Sequence, residues 1–528
     1  MFAASGIANA APKADKEALK AHLAFLADDL LEGRETGSRG YDIAANYVAA
    51  QFAQYGLAPK GAKGSFLQPV PLRSSRVAAG SAVVELQSAS GVERLSGDSD
   101  YVITASVLED RSGTTAPLVF VGYGIRADRF QHNDYGDVDV KGKIVVVLAG
   151  KPSRFPTEEG AHFGSSGEKR KLAAQQGAVG LVTLWTPTME KTIPFAKVHA
   201  HSSFPRVAWL DAAGKPAHSL PAMQDDIVLS MAASKKLFTQ VDTRLDDIYA
   251  LAEANKPLPP VDLKLSLRTA KNSQRSEIKS SNVVGLIEGS DPRLKHEYVV
   301  FSAHLDHIGL VKEKSGDNIF NGAMDNASGV ATLIETARLF TQSSIRPKRS
   351  ILFVALTGEE KGLVGSDYFA TNPTVPAGSM VANVNLDMPL LTFDFKNVMA
   401  FGAEHSSLKG NATRALKKMG LELIPDPWPA QGVFTRSDHY MFVKQGIPSI
   451  FLATGMGSFD QNQDAGKMWG EFLSTHYHQP SDDLSLPFNF DAAARFAQLN
   501  YNIALEIANA AEKPTWNKGD FFGDTFKK

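Results

Sequence analysis

Among its 528 residues the chain has no cysteine. Disulfides, thiol catalysis and cysteine-based zinc sites are therefore excluded, although this alone does not fix the compartment. Nor is there a charge excess: 55 basic and 57 acidic side chains leave a net charge of −2. That argues against nucleic acid as a partner and against a strongly basic membrane-facing surface. No apolar run is long enough to span a bilayer. The serine-hydrolase elbow G-x-S-x-G is missing. "HEYVV", 296–300, lacks the second histidine of H-E-x-x-H. "GYGIRA", 122–127, has the spacing of a dinucleotide loop, but the "DRFQHNDYGDVD" that follows is turn-like, so no such site is expected. "SDH", 437–439, holds the three triad residue types too close together to reach triad geometry.

What remains is an ordinary globular composition, 43% apolar and 21% charged, in a chain long enough for two to four domains. Ala8-Asn9-Ala10 before Ala11 resembles a signal-peptidase site without the charged start and long apolar stretch. A trimmed export signal is the expectation, and with it a periplasmic or secreted protein; a frayed small-residue terminus is the alternative. Residues 14–56 read as two helices around the turn "EGRETGSRG". From 62 to 255 short β-rich runs such as "PLVFVGYG" and "GKIVVVLAG" alternate with turns. From about 282 strands and helices alternate, with a last helix near 490–511. This predicts an α/β fold, a mixed and mostly parallel sheet with helices on both faces. The expected divisions are 13–61 and 256–511 for this α/β part, 62–255 for a β-rich insert, and 512–528 for a polar tail without structure of its own.

Five places in the α/β part carry acids or histidines at strand ends or in loops. They are "SAHLDHIG" (His304, Asp306), "NGAMDNASG" (Asp325), "TGEEKG" (Glu359, Glu360), "NVNLDMP" (Asp387) and "THYHQPSDD" (His478). Sites in open α/β sheets assemble at the C-terminal ends of the strands. Carboxylates and imidazoles without thiolates suit two divalent ions such as zinc, manganese or cobalt. Two such ions can activate one water, and a carboxylate can bridge them. His304 and Asp306 share a face of an extended backbone, which places Asp306 to accept the second ring N–H of His304. Glu359 and Glu360 end a buried run, "SILFVAL", and point in different directions. If Glu360 binds a metal, Glu359 is free to take a proton from the activated water. Taken singly, each residue has an ordinary role: a strand-end histidine, a helix N-terminal aspartate, a solvated glutamate pair, a turn former, a surface histidine.

The motifs "SAHLDHIG", "NGAMDNASG", "TGEEKGLVGS", "VNLDM", "TRSDHYMF" and "YHQPSDD" occur in an order that resembles the co-catalytic di-zinc aminopeptidase family. That family also includes glutamate carboxypeptidase and, more distantly, glutaminyl cyclase and transferrin receptor. "DVKGKIVVVLAG" and "KRKLAAQQGAVGLVTLW" resemble an inserted protease-associated domain. The resemblance implies a zinc-exopeptidase fold, a peptide substrate and two zinc ions. It implies that His304 and Glu360 bind one ion and that Asp387 and His478 bind the other. Asp325 would bridge them, often with a cis bond to the next residue, here Asn326. Glu359 would be general base and then general acid. Tyr477 would steady the oxyanion or merely pack, and Arg436 would contact substrate. Asp438, His307, His439, His199 and His201 are read as structural or surface residues.

Removal of N-terminal amino acids is the leading expectation. A carboxypeptidase or dipeptidase would need a basic cluster for the free carboxylate, and Arg436 alone is none; the chain also has no room after its last helix for the dimerisation domain of glutamate carboxypeptidase. A glutaminyl-cyclase-like acyltransferase would use one zinc, while both sets of ligands look intact. A non-catalytic module would have lost the site. Oligomeric state is not legible.

Overall fold

The computed structural model describes residues 12–202, 204–311 and 314–527. The possible export-signal remnant lies outside them. No described helix is long and apolar enough to cross a membrane.

Asp15 caps the first helix, α1 (Lys16–Leu26), by accepting from the N–H groups of Glu17 and Ala18. Leu19, His22, Leu23 and Leu26 form its buried stripe. Ser38 caps α2 (Arg39–Gln54) in the same way through the Tyr41 N–H. The turn between the two helices is a kinked 3-10 segment, Asp29–Arg34.

The insert follows. Its strands β1 (Thr115–Phe120), β2 (Ile144–Leu148), β3 (Gly180–Leu184) and β4 (Asp225–Leu229) pair in parallel in that order. β2, "IVVVL", is buried at every position, as a strand covered on both faces must be. "GYGIRA" runs into a two-residue strand and a short 3-10 turn, with no helix behind it.

A 27-residue strand, β5 (Val261–Ile287), then leads back to the α/β part. Its early residues pair with β1, while Val283–Ile287 pair antiparallel with a later strand, β7. The elements that build the second sheet are β6 (Tyr298–His304), α3 (Gly329–Gln342), β7 (Ser350–Leu356), β8 (Met380–Leu386), β9 (Asn397–Phe401), β10 (Glu422–Ile424), β11 (Ser449–Thr454) and α4 (Phe490–Asn509). The strand order is β5–β7–β6–β8–β11–β9–β10. The central four strands are parallel; β5 runs antiparallel to β7, and β9 runs antiparallel to β11 but parallel to β10. Every residue of β6, β7, β8 and β11 is buried, so both faces are covered. The mixed, mostly parallel sheet with flanking helices is the architecture expected.

The chain forms two compact units, 1–70 with 279–428 and 436–528, and 71–278 with 429–435. These divisions differ from those expected at 62 and 255. Residues up to Val70 still bond within the α/β unit: the Val284 N–H donates to Phe66 O, and Gln68 donates to Asn372 O. After the prolines near 257–260, β5 pairs back into the insert rather than leaving it. The tail also departs from expectation. It carries a helix, α5 (Phe521–Phe526), whose Phe521 and Phe522 are buried. Trp516 Nε1 donates to Gly446 O at 2.8 Å. Four aromatic side chains in a polar segment are enough to dock it.

Candidate metal centre

His304 is the last residue of β6, and Asp387 follows the last residue of β8, the adjacent strand. Glu359 and Glu360 follow β7, on the other side of β6. Asp325 lies in the turn before α3, and His478 follows a helix that ends at Thr475. The turn after β7 depends on Gly358. Its φ is +68°, and a Cβ there would meet Val364 Cγ2 at 2.3 Å.

Asp325 stands at the middle of the cluster. Its Oδ1 is 3.1 Å from His304 Nε2, and its Oδ2 is 3.2 Å from His478 Nε2. On the His304 side, Nε2 is also 3.2 Å from Asp387 Oδ1. On the His478 side, Nε2 is 3.3 Å from Glu360 Oε1. The neighbours are thus His304 with Asp387 and His478 with Glu360, which corrects the pairing implied by the resemblance. β6 lies between β7 and β8, but Asp387 directly follows β8 beside His304, whereas Glu360 lies four residues beyond the end of β7. The Asp325–Asn326 peptide is cis.

Among the described residues, two groups of donor atoms lie within 4.8 Å of one another: His304, Asp325 and Asp387, and His307, Asp325 and Glu360. They share Asp325. His307, read from the sequence as structural or surface, is fully buried, with Nδ1 2.8 Å from Glu360 Oε1. Neither its ring nitrogens nor Glu360 Oε1 makes a hydrogen bond of good geometry. Buried, unpartnered nitrogen and oxygen atoms facing one another are what a cation would satisfy. The donor set fits divalent metal on both sides of Asp325. The signal for His307 in the sequence was its place in "HLDH", beside Asp306 and three residues from His304.

Asp306 also departs from expectation. The ring Nδ1 of His304 meets the backbone carbonyl of Asp306 at 3.0 Å, not its side chain. A carbonyl only accepts, so Nδ1 carries the hydrogen and Nε2 is left to face the carboxylates. The Asp306 carboxylate instead accepts from Glu359 N–H (3.1 Å), Glu360 N–H (3.3 Å) and Thr36 Oγ1 (3.0 Å). It fixes the backbone of the glutamate pair.

The two glutamates sit in opposite fields. Burial raises the pKa of Glu359 well above the usual range, and Glu360, Asp387 and Asp438 add to this against the pull of His304. Burial acts on Glu360 too, but His478 and His307 outweigh it and hold Glu360 well below the usual range. Burial opposes protonation of His304, yet Asp387, Glu359 and Asp325 raise its pKa overall. On the far side of Asp387, Ser437 Oγ donates to Oδ2 at 2.6 Å, and Asn385 donates to Ser437. Tyr477 stacks on His478, ring centroids 3.9 Å apart. Burial and the acids Asp325, Glu360 and Glu359 raise its phenol pKa well above the usual value, which keeps it a donor. Arg436 is exposed, and close enough to Tyr477 for its charge to act against that rise. Asp438 is fully buried, its carboxyl pushed up to about 7. His439 is buried against Phe451, and His199 bonds Gly97 O. The side chain of His201 lies outside the described residues.

Residues 282–504 match the model of Peptidase family M28, and residues 114–202 match the PA domain. The chain carries an M28 peptidase domain and a PA domain. Aminopeptidase Y of Saccharomyces cerevisiae is 28% identical over 232 residues, 43% of this chain and 38% of that protein. Transferrin receptor protein 2 of Rattus norvegicus is 28% identical over 272 residues, 48% of this chain and 31% of the receptor. The chain thus spans well under two thirds of these curated relatives. An aminopeptidase from Aneurinibacillus sp. strain AM-1 superimposes with a TM-score of 0.53 at 18% identity, covering 95% of both chains, a likeness of fold. The relatives thus carry both peptidase and receptor names.

Proposed function

We propose that this protein is a metal-dependent exopeptidase that removes N-terminal amino acids from peptides. The observation that carries the reading is the donor cluster: two groups of imidazole and carboxylate atoms share Asp325, with Glu360 in one of them and the adjacent Glu359 in neither. Adjacent carboxylates placed so differently suit separate roles, one as a metal donor and one as a base. His304, Asp325 and Asp387 are the donors for one ion, and Asp325, Glu360 and His478 for the other, with His307 as a further nitrogen beside Glu360. The mix of imidazole and carboxylate suits zinc, with manganese or cobalt as substitutes. Bound divalent ions would polarise a scissile carbonyl and make a water nucleophilic near neutral pH.

The protein's own residues do the rest. Glu359 receives the proton at its carboxylate and returns it to the departing amine, a general-base step that contributes about 10²–10⁴-fold. Asp306 holds the backbone of Glu359 and Glu360. The Tyr477 hydroxyl donates toward the developing oxyanion. Arg436, at the exposed rim, contacts the peptide. The chain of Asn385, Ser437 and Asp387 fixes one donor in orientation. Export to a periplasm or the outside is part of the same proposal.

The test is hydrolysis of a leucine chromogenic amide beside its N-acetylated twin, with and without a strong chelator. The reading expects cleavage of the free amine only, lost to chelator and restored by zinc. Protein with two bound ions and no activity on either substrate would overturn it. Work would then turn to C-terminal acidic peptides and glutaminyl cyclisation, the alternatives on the same donors.

A further inference from the structure

The N-terminal turn "EGRETG" supplies no metal donor, yet Arg34 within it is almost completely buried, 1% exposed. Its Nε donates to Leu305 O at 2.9 Å, the residue before Asp306. Nη1 donates to Asn321 O at 2.6 Å and to Leu26 O, and Nη2 to Gly322 O at 3.0 Å. The His307 N–H donates back to Arg34 O at 3.3 Å. One guanidinium therefore ties the segment carrying Asp306 and His307 to the segment leading into Asp325.

Asp482, fully buried, grips the same segment by its N–H groups. Its Oδ1 accepts from Met324 at 2.7 Å and its Oδ2 from Asp325 at 3.0 Å. Its backbone carbonyl accepts from Ala323 at 3.0 Å. Five consecutive residues, 321–325, are thus held: two carbonyls by a cation, two N–H groups by a carboxylate and one N–H by a backbone carbonyl. Unpaired, each of those backbone groups would cost free energy where it is buried. A rigid fork and a two-oxygen acceptor tolerate little displacement.

We propose that Arg34 and Asp482 are positioning residues which together preset the Asp325 carboxylate between its histidines, so that the centre is assembled before any ion arrives. This rests on the metallopeptidase reading above. Groups that orient metal donors are worth about 10–100-fold in metal affinity. Packing alone predicts something else. Arg349 is equally buried and bonds Glu297, Ile507 O and Ala510 O, but it precedes the first residue of β7, the end opposite Glu359 and Glu360. It is a matched control.

The variants are Arg34→Lys, Arg34→Met, Asp482→Asn and Arg349→Met. The readouts are zinc affinity by chelator competition, the visible spectrum of the cobalt-loaded protein, and unfolding temperature. Arg34→Met and Asp482→Asn are expected to weaken zinc by about 10–100-fold and to alter the cobalt spectrum. Arg34→Lys stays weakened, because an ammonium cannot span the same carbonyls. Arg349→Met lowers the unfolding temperature and leaves zinc affinity and spectrum as in wild type. If Arg34→Met fails to fold, the near-isosteric Asp482→Asn and the charge-preserving Arg34→Lys decide. Wild-type affinity and spectrum in folded Arg34 and Asp482 variants would overturn the proposal. So would an equal loss of zinc affinity in Arg349→Met. A wild-type protein that takes up neither ion would overturn the metallopeptidase reading itself.

Discussion

The carboxylate of Asp306 accepts the N–H groups of both Glu359 and Glu360, and through them it sets where two differently behaving side chains begin. Asp306→Asn leaves the shape and removes one of the two acceptor oxygens. A hydrogen bond to a charged group is worth about 1.5–3 kcal/mol. The variant should fold, bind zinc less tightly, and lose about ten- to a hundredfold in kcat with KM little changed. Steady-state kinetics beside zinc titration checks this; unchanged kcat and zinc affinity would remove Asp306 from the site. At this scale the clustered residues other than His307 were legible in the sequence, as acids and histidines at strand ends and in loops in the order of the family that the motifs resemble. Their partners were not. Which strand lies beside which is a property of sheet order, and only with β8 next to β6 does His304 meet Asp387. The role of His307 was hidden for the same reason, since its partner Glu360 lies on a loop 53 positions away.

Helices α1 and α2 meet through a buried imidazole. His22 Nδ1 lies 2.8 Å from Tyr47 Oη, and its Nε2 is buried without a hydrogen-bond partner. Burial, aided by Arg338, lowers its pKa to about 4. The unfolded chain protonates near 6.5. The folded value is the lower one, so the neutral form favours folding. This stability is fully present above pH 6.5 and is lost as the pH falls toward 4, up to about 3 kcal/mol. In chelator-treated protein, urea unfolding at pH 7 and pH 4.5 should show a smaller acid loss for His22→Gln than for wild type. Equal losses would mean that His22 does not titrate this way. The elements themselves were legible where patterning was strong: α1, α2 and the apolar runs of β2, β7 and β11 fall where periodicity and run length place them. The domain limits and the tail were not. The change of texture that suggested a limit at 255 is local, and the strand after it returns to the insert. A tail that is polar on average hides the aromatic contacts of Trp516, Phe521 and Phe522.

On the scale of the whole molecule, Asp325, Asp387 and Glu360 crowd three carboxylates together against the imidazoles of His304 and His478. A cation that binds only the folded chain stabilises it by mass action, about 2.7 kcal/mol at a hundredfold excess over Kd. Chelator-stripped protein should therefore unfold at a lower temperature than zinc-loaded protein, and Asp325→Ala should abolish the difference. No shift in wild type would argue against a metal centre. The measurement that reaches the central claim most directly compares Glu359→Gln with Glu360→Gln for bound zinc and for turnover of the leucine amide. The two-role account predicts that Glu359→Gln keeps two zinc ions and loses about 10²–10⁴-fold in kcat, while Glu360→Gln loses zinc. If the two variants behave alike, keeping zinc together or losing it together, the adjacent glutamates do one job and the account is wrong.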